Sequence, residues 1–383
     1  MLQISSKLPH IGTTIFTVMS ALANEYQAVN LSQGFPDFSC SPELIDLVSF
    51  YMKKGMNQYA PMTGIQVLRE KIAEKTTLLY QYSANPNTEI TITSGATEAL
   101  FAAISAVVRQ DDEVIIFEPA YDSYLPAIEL NGGKVVAIPL EYPSYQIDWQ
   151  VVRQKITNKT KLIIINSPHN PTGSILSATD LDELENIVAN TDILLIADEV
   201  YEHIIFDNAI HQSFLLRKNL ANRSFVISSF GKTFHTTGWK IGYCIAPEFL
   251  SKEFRKIHQY LTFSSPTPLQ YAIADFLATP QNYLHLPKFY ENKRNKFIEL
   301  IQNTNFKYIQ TNGTYFQLLD YSAITDEKDT DFAIRLTKTY GIAAIPISVF
   351  YSTPPQNNAK ILRFCFAKTE ETLEKAAEKL HRV

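Results

Sequence analysis

The chain has 383 residues, 45% of them hydrophobic and 19% charged, with a formal net charge of −5. That mild acidity excludes the basic footprint of a nucleic-acid binder, and no apolar run approaches the ~20 residues of a membrane span. The length predicts two domains, or one large domain with a smaller companion.

Cys40, Cys244 and Cys365 are isolated, with no CxxC pair. An odd count of scattered cysteines predicts reduced thiols and a cytoplasmic setting, and no metal site is expected. The opening residues Met1 to Pro9 lack the apolar core of a signal peptide.

Taken in order, residues 1–12 read as an extended arm and Thr13 to Gln27 as a helix that Thr13 or Thr14 can cap. The segment Asn30 to Phe38 is rich in turn residues. Helices are predicted near 42–54 and over 65–81, flanking a loop from Asn57 to Gly64. From position 89, short β-branched runs alternate with helical stretches. The predicted strands are Glu89–Thr93, Glu113–Phe117, Lys134–Pro139, Lys161–Ile165, Ile193–Ala197, Phe225–Ser228 and Ile241–Ala246. Such alternation predicts βαβ units and a wide, mainly parallel sheet covered on both faces, its last strand a candidate for running antiparallel. After Pro268 the texture changes to long helices and fewer strands. The expected division is an N-terminal arm and helix (1–33) joined to a small C-terminal domain (283–383), with a large domain between (34–282).

In an open α/β sheet, ligands bind beyond the carboxyl ends of the strands. Five predicted strands end in polar groups suited to that position. Ser228-Ser229-Phe230-Gly231-Lys232 places a lysine there. Partial desolvation lowers the pKa of such an amine and makes it a nucleophile. A P-loop would need glycine five residues before Gly231, and position 226 is Val. Asp198 ends the strand Ile193–Ala197, where a carboxylate can hold a proton on a ring nitrogen, and Tyr201 follows it. Asn170 lies in a turn-rich Asn-Pro segment. Gly95, Ala96 and Thr97 open a helix, whose free N–H groups suit a single phosphate. Tyr121 is placed to stack on a flat ring. Each motif alone also suits an ordinary turn, cap or core position; their recurrence at strand ends favours one shared site.

Together, in this order, SGATE, EPxY, NPTG, ADEVY, SSFGKTF, GWKIGY and a late arginine resemble the class I/II aminotransferases, pyridoxal-phosphate (PLP) enzymes of fold type I. NLSQGFPDF, NQYAPMTG and HQYLTFSSPTP narrow the likeness to the kynurenine/glutamine transaminase-like subgroup, nearest the bacterial methionine aminotransferases. The resemblance implies a seven-stranded large domain and a smaller α/β domain. It implies Lys232 as the Schiff-base lysine that moves the Cα proton, and Asp198 as partner of the pyridine nitrogen. Asn170 and Tyr201 would bond the ring's phenolic oxygen, with Tyr121 stacked on the ring. Ser229, Lys240, Gly95, Ala96 and Thr97 would hold the phosphate; Lys240 replaces an arginine common in relatives, losing bidentate geometry. Arg363, with the Gly34 backbone nearby, would clamp the substrate carboxylate. Tyr59 would reach the phosphate of a neighbouring subunit, implying a homodimer with shared sites. Phe16 and Phe263 would contact the substrate side chain, although core aromatics are an equal alternative. The implied reaction is ping-pong transamination of methionine or aromatic amino acids, kynurenine or glutamine with a 2-oxo acid. The alternatives are a cysteine-S-conjugate β-lyase on the same scaffold, a non-catalytic PLP-binding protein, and a nicotinamide dehydrogenase, the last opposed by the missing GxGxxG.

Overall fold

The computed structural model describes residues 4–353 and 360–383. Its centre is a seven-stranded sheet: β1 (Ile90–Thr93), β2 (Glu113–Glu118), β3 (Lys134–Pro139), β4 (Thr160–Asn166), β5 (Leu194–Asp198), β6 (Ser224–Ser229) and β7 (Gly242–Ile245). The spatial order is β1-β7-β6-β5-β4-β2-β3. Pairing is parallel from β6 through β3, while β7 runs antiparallel to both β6 and β1. All seven expected strands form, with ends shifted by a residue or two, and the last is the antiparallel one. The central strands read as unbroken apolar runs because helices cover both faces; Ile163, Leu195 and Phe225 are fully buried.

Helix α1 (Ile15–Glu25) is capped by the Thr14 hydroxyl, which accepts from the Thr17 N–H. Helix α2 (Gln66–Tyr80) and helix α3 (Ala96–Val107) follow, the latter opening at Gly95 with φ +80°. Later in the chain, α4 (Glu248–Leu261) packs on α3. A second, four-stranded sheet is built around the antiparallel pair β8 (Phe316–Asp320) and β9 (Ile361–Cys365). The N-terminal segment joins this end of the molecule, because Val29–Asn30 pairs in parallel with Ile342–Ala343. Two-residue strands such as these escape sequence reading, being too short to show a period. Residues 329–340 begin as an α-helix (Asp329–Arg335) and finish as a wider π-helical turn (Leu336–Tyr340).

Register decides what stands at the carboxyl edge. Asn166 is opposite Asp198, and Ser229 and Thr93 are both opposite Gly242. Neighbouring strands lie ~4.8 Å apart, so these ends form a row a small ligand can span.

Candidate active site

A cavity of about 250 Å³ opens at that row. It is lined from β1/α3 by Gly95, Ala96, Thr97 and Leu100, from β4 by Asn166 and Asn170, and from β5 by Asp198, Val200 and Tyr201. Ser229, Gly231, Lys232, Thr237 and Lys240 come from the segment after β6, Tyr121 from that after β2, and Phe16, Gln33, Gly34, Phe316 and Arg363 close the other side. Thirteen of the fifteen residues expected from the sequence therefore meet there. Tyr59 and Phe263 do not line it. They stand edge to face with ring centroids 5.3 Å apart, and Tyr59 is 84% exposed.

Lys232 sits in a single helical turn (Phe230–Thr233) directly after β6. Its Nζ donates to the Tyr315 hydroxyl at 2.8 Å and the Gly34 carbonyl at 3.1 Å. Burial pushes the amine down to about 8, with Arg363 and Lys240 acting in the same direction and Cys365 against it. Asp198 has the opposite problem. Burial pushes its carboxyl up to about 6, although the Tyr124 hydroxyl donates to Oδ2 at 2.6 Å. A buried carboxylate so placed is suited to a ligand that brings a proton. Tyr124 also stands edge to face against Tyr121, at 5.7 Å.

Gly95 and Lys240 form the anion end. A Cβ on Gly95, already at φ +80°, would sit 3.3 Å from Lys240 Nζ, so glycine is what leaves the cradle open. Lys240 itself has φ +54° and has no hydrogen-bond or ion-pair partner among the described residues. The N–H groups opening α3 face the same space.

Arg363, on β9, is buried beneath three aromatic rings, its guanidinium 3.9 Å from the Phe316 centroid, 5.2 Å from Phe16 and 5.4 Å from Phe350. Nη1 donates to Asn170 Oδ1 at 2.7 Å and Nη2 to the Ser32 carbonyl at 3.1 Å, while Nε is buried with no partner. Burial lowers this guanidinium to about 10. Asn170 spends its oxygen on Arg363, leaving its NH2 to donate elsewhere; its backbone N–H is held by Asn166 Oδ1 at 2.7 Å. Gln33 donates to the Phe16 carbonyl at 2.8 Å and to Ser20 Oγ at 2.5 Å, pinning α1 over the cavity.

Sequence reasoning missed Tyr124, Tyr315 and Gln33. Tyr315 and Tyr124 read as strand and helix aromatics, and only their long-range partners reveal them. Gln33 falls inside a quoted motif, with no local signal separating it from its neighbours.

Residues 26–380 match the sequence profile of aminotransferase class I and II, and the chain belongs to that family: it is a transaminase. It is 50% identical over 379 residues to the methionine aminotransferase of Escherichia coli (strain K12), spanning 99% of this chain and 98% of that enzyme. The crystal structure of YbdL from Escherichia coli, identified as having a methionine aminotransferase function, superposes with a TM-score of 0.97 at 49% identity, with 100% of each chain covered. The kynurenine–oxoglutarate transaminase of Dictyostelium discoideum is 34% identical over 414 residues, or 98% of this chain and 95% of that enzyme. This kinship favours transamination over the lyase, the non-catalytic binder and the dehydrogenase. Enzymes of the family generally depend on pyridoxal phosphate, and the chemistry of the donor set fits it: an unpaired cation beside a glycine cradle, a buried acid, a buried amine and an orphaned guanidinium N–H.

Proposed function

We propose that this chain uses pyridoxal phosphate to move the amino group of an L-amino acid, methionine first and aromatic amino acids, kynurenine or glutamine after it, to a 2-oxo acid by a ping-pong course. The observation that carries this is one cavity holding Lys232, Asp198, the Gly95–Lys240 cradle and Arg363. The cofactor, when bound, supplies a carbonyl for the amino group and an electron-withdrawing ring. Gly95, Ala96, Thr97, Ser229 and Lys240 hold its phosphate. Asp198 keeps the ring nitrogen protonated, Tyr121 stacks on the ring, and Asn170 and Tyr201 donate to its phenolic oxygen. Arg363 clamps the substrate carboxylate, using the otherwise orphaned Nε, with Gly34 at the same wall. Lys232 would remove the Cα proton and deliver it to the carbon on the far side of the amino nitrogen, a step typically worth ~10²–10⁴-fold.

The donor preference has a physical reason. The cations lining the cavity are Lys232, Lys240 and Arg363, and each has a task. None is left for a second carboxylate, and Phe16 and Phe316 add apolar surface to the wall beside Arg363. In half-reactions followed by loss of the bound cofactor's absorbance, methionine is expected to exceed aspartate in rate over KM by about 10²-fold or more. Parity between them would reject the reading.

Apoprotein capture of pyridoxal phosphate is expected to accelerate as pH rises through about 8, because only the neutral Lys232 amine attacks a carbonyl. A rate that keeps rising about tenfold per pH unit beyond about pH 9 in stopped-flow absorbance would contradict a lysine lowered by burial.

The same reading takes the protein as a cytoplasmic homodimer. Cys40, Cys244 and Cys365 are all free, which suits a reducing compartment. The exposed Tyr59, with Phe263 against it, is presented to the phosphate site and substrate side of a second copy. Among the described residues no helix is long and apolar enough to cross a membrane. The sheet pairing of residues 29–30 with 342–343 supports a small domain made of 1–33 and 283–383 beside a large one of 34–282.

A further inference from the structure

One fully buried histidine joins the start of α3 to the loop that carries Tyr59. His258, on α4, is 0% exposed. Its Nε2 lies 3.0 Å from the Met62 carbonyl, which can only accept, so Nε2 bears a proton. Its Nδ1 lies 3.0 Å from Glu98 Oε1, with the Thr262 hydroxyl 3.3 Å away. Glu98 Oε2 accepts from the Ser94 backbone N–H at 3.0 Å. Ser94 immediately precedes the cradle residue Gly95, and Met62 is three residues beyond Tyr59. The His258 carbonyl in turn accepts from the Phe263 N–H at 3.1 Å. One residue therefore ties the cradle, the Tyr59 loop and Phe263 together, while neither His258 nor Glu98 lines the cavity.

We propose that His258 and Glu98 are a positioning pair that couples cofactor-phosphate retention at Gly95–Thr97 to the orientation of Tyr59 toward a second copy of this chain. The inference rests on the phosphate-cradle reading given above. Glu98 holds the Ser94 N–H and so keeps the left-handed Gly95 turn from rotating, which leaves the next N–H groups aimed into the cavity. His258 fixes the Glu98 rotamer and, through its other nitrogen, the loop at Met62. Loosening either contact releases both segments.

The test is a titration of full-length, cofactor-stripped protein with pyridoxal phosphate, read by tryptophan fluorescence. His258→Asn has no atom at the Nε2 position, so it frees the Met62 carbonyl and the Tyr59 loop, and it is expected to weaken binding about tenfold. Tyr59→Phe is expected to weaken the wild type measurably, yet to add less than about threefold in the His258→Asn background, since the phenol is no longer held in place. Glu98→Gln keeps an acceptor for Ser94 and gives an N–H to Nδ1, so its affinity is expected to stay within about threefold of wild type. If His258→Asn does not fold, Glu98→Ala is read in its place with the same expectations. Unchanged affinity in the disruptive variant, losses that simply multiply with Tyr59→Phe, or a Glu98→Gln defect as deep as the disruptive one overturns the coupling. A wild type that takes up no pyridoxal phosphate overturns the cradle and the coupling with it; tight wild-type binding beside an unmoved variant overturns the coupling alone.

Discussion

Replacing Lys232 with alanine is expected to lower transamination by at least about 10⁴-fold while leaving the fold intact. The amine has two tasks in the proposed reaction, attachment of the cofactor and transfer of the Cα proton, and no second buried amine stands in the same position. Lys240 lines the same cavity but at the cradle, beside Gly95. The expected stability of the variant follows from what Lys232 does not hold together. Its Nζ contacts are a carbonyl and a phenol, Gly34 and Tyr315, which already bond each other. The turn is anchored instead by Phe230, stacked on Phe234 at 5.7 Å. Removing a buried amine lowered to about 8 also removes a group that is costly to charge, so no loss of melting temperature is expected. Steady-state turnover with methionine and a 2-oxo acid, beside circular dichroism, checks both halves. Turnover within tenfold of wild type would remove Lys232 from the mechanism.

The second large effect lies under the sheet. Lys75, on α2, and Glu202, after β5, form an ion pair of 2.6 Å with side chains 2% and 3% accessible. Glu202 also accepts from the hydroxyls of Ser228 at 2.6 Å, Tyr243 at 3.0 Å and Tyr80 at 2.5 Å, and Lys75 donates to Tyr243 at 2.8 Å. Burial pushes the Glu202 carboxyl up, but Lys75 and the hydroxyl donors overcome this and hold it well below the usual range. Glu202→Ala leaves the Lys75 ammonium buried without its counter-charge, and the expected cost is about 3–5 kcal/mol in denaturant unfolding. Replacing both, as Lys75→Met with Glu202→Leu, is expected to recover most of that loss, because two desolvated charges vanish together. A single variant within ~1 kcal/mol of wild type would mean the pair is not dry. The sign with pH follows: the Glu202 contribution is complete above the ordinary glutamate value of 4.5 and is lost as pH falls below it. Glu202 follows Tyr201, and Ser228 precedes Ser229, so this network also holds two cavity residues in place.

Much of this protein is written locally. Leu194–Ala197 and Phe225–Ile227 are apolar runs that must be buried on both faces, and the polar residues that follow them, Asp198 and Ser229, therefore stand at one edge of the sheet. That is why Lys232, Asp198, Asn170 and the Gly95 turn were legible before any coordinates. Tertiary structure decided the partners. Tyr315 meets Lys232 across 83 residues, Tyr124 meets Asp198 across 74, and Lys75 meets Glu202 across 127. It also put Tyr59 and Phe263 outside the cavity of their own chain and gave Arg363 its aromatic sheath. The physical reason is that apolar period and turn chemistry report whether a residue is buried, whereas the identity of its neighbour depends on sheet order and register, which no short stretch of chain contains.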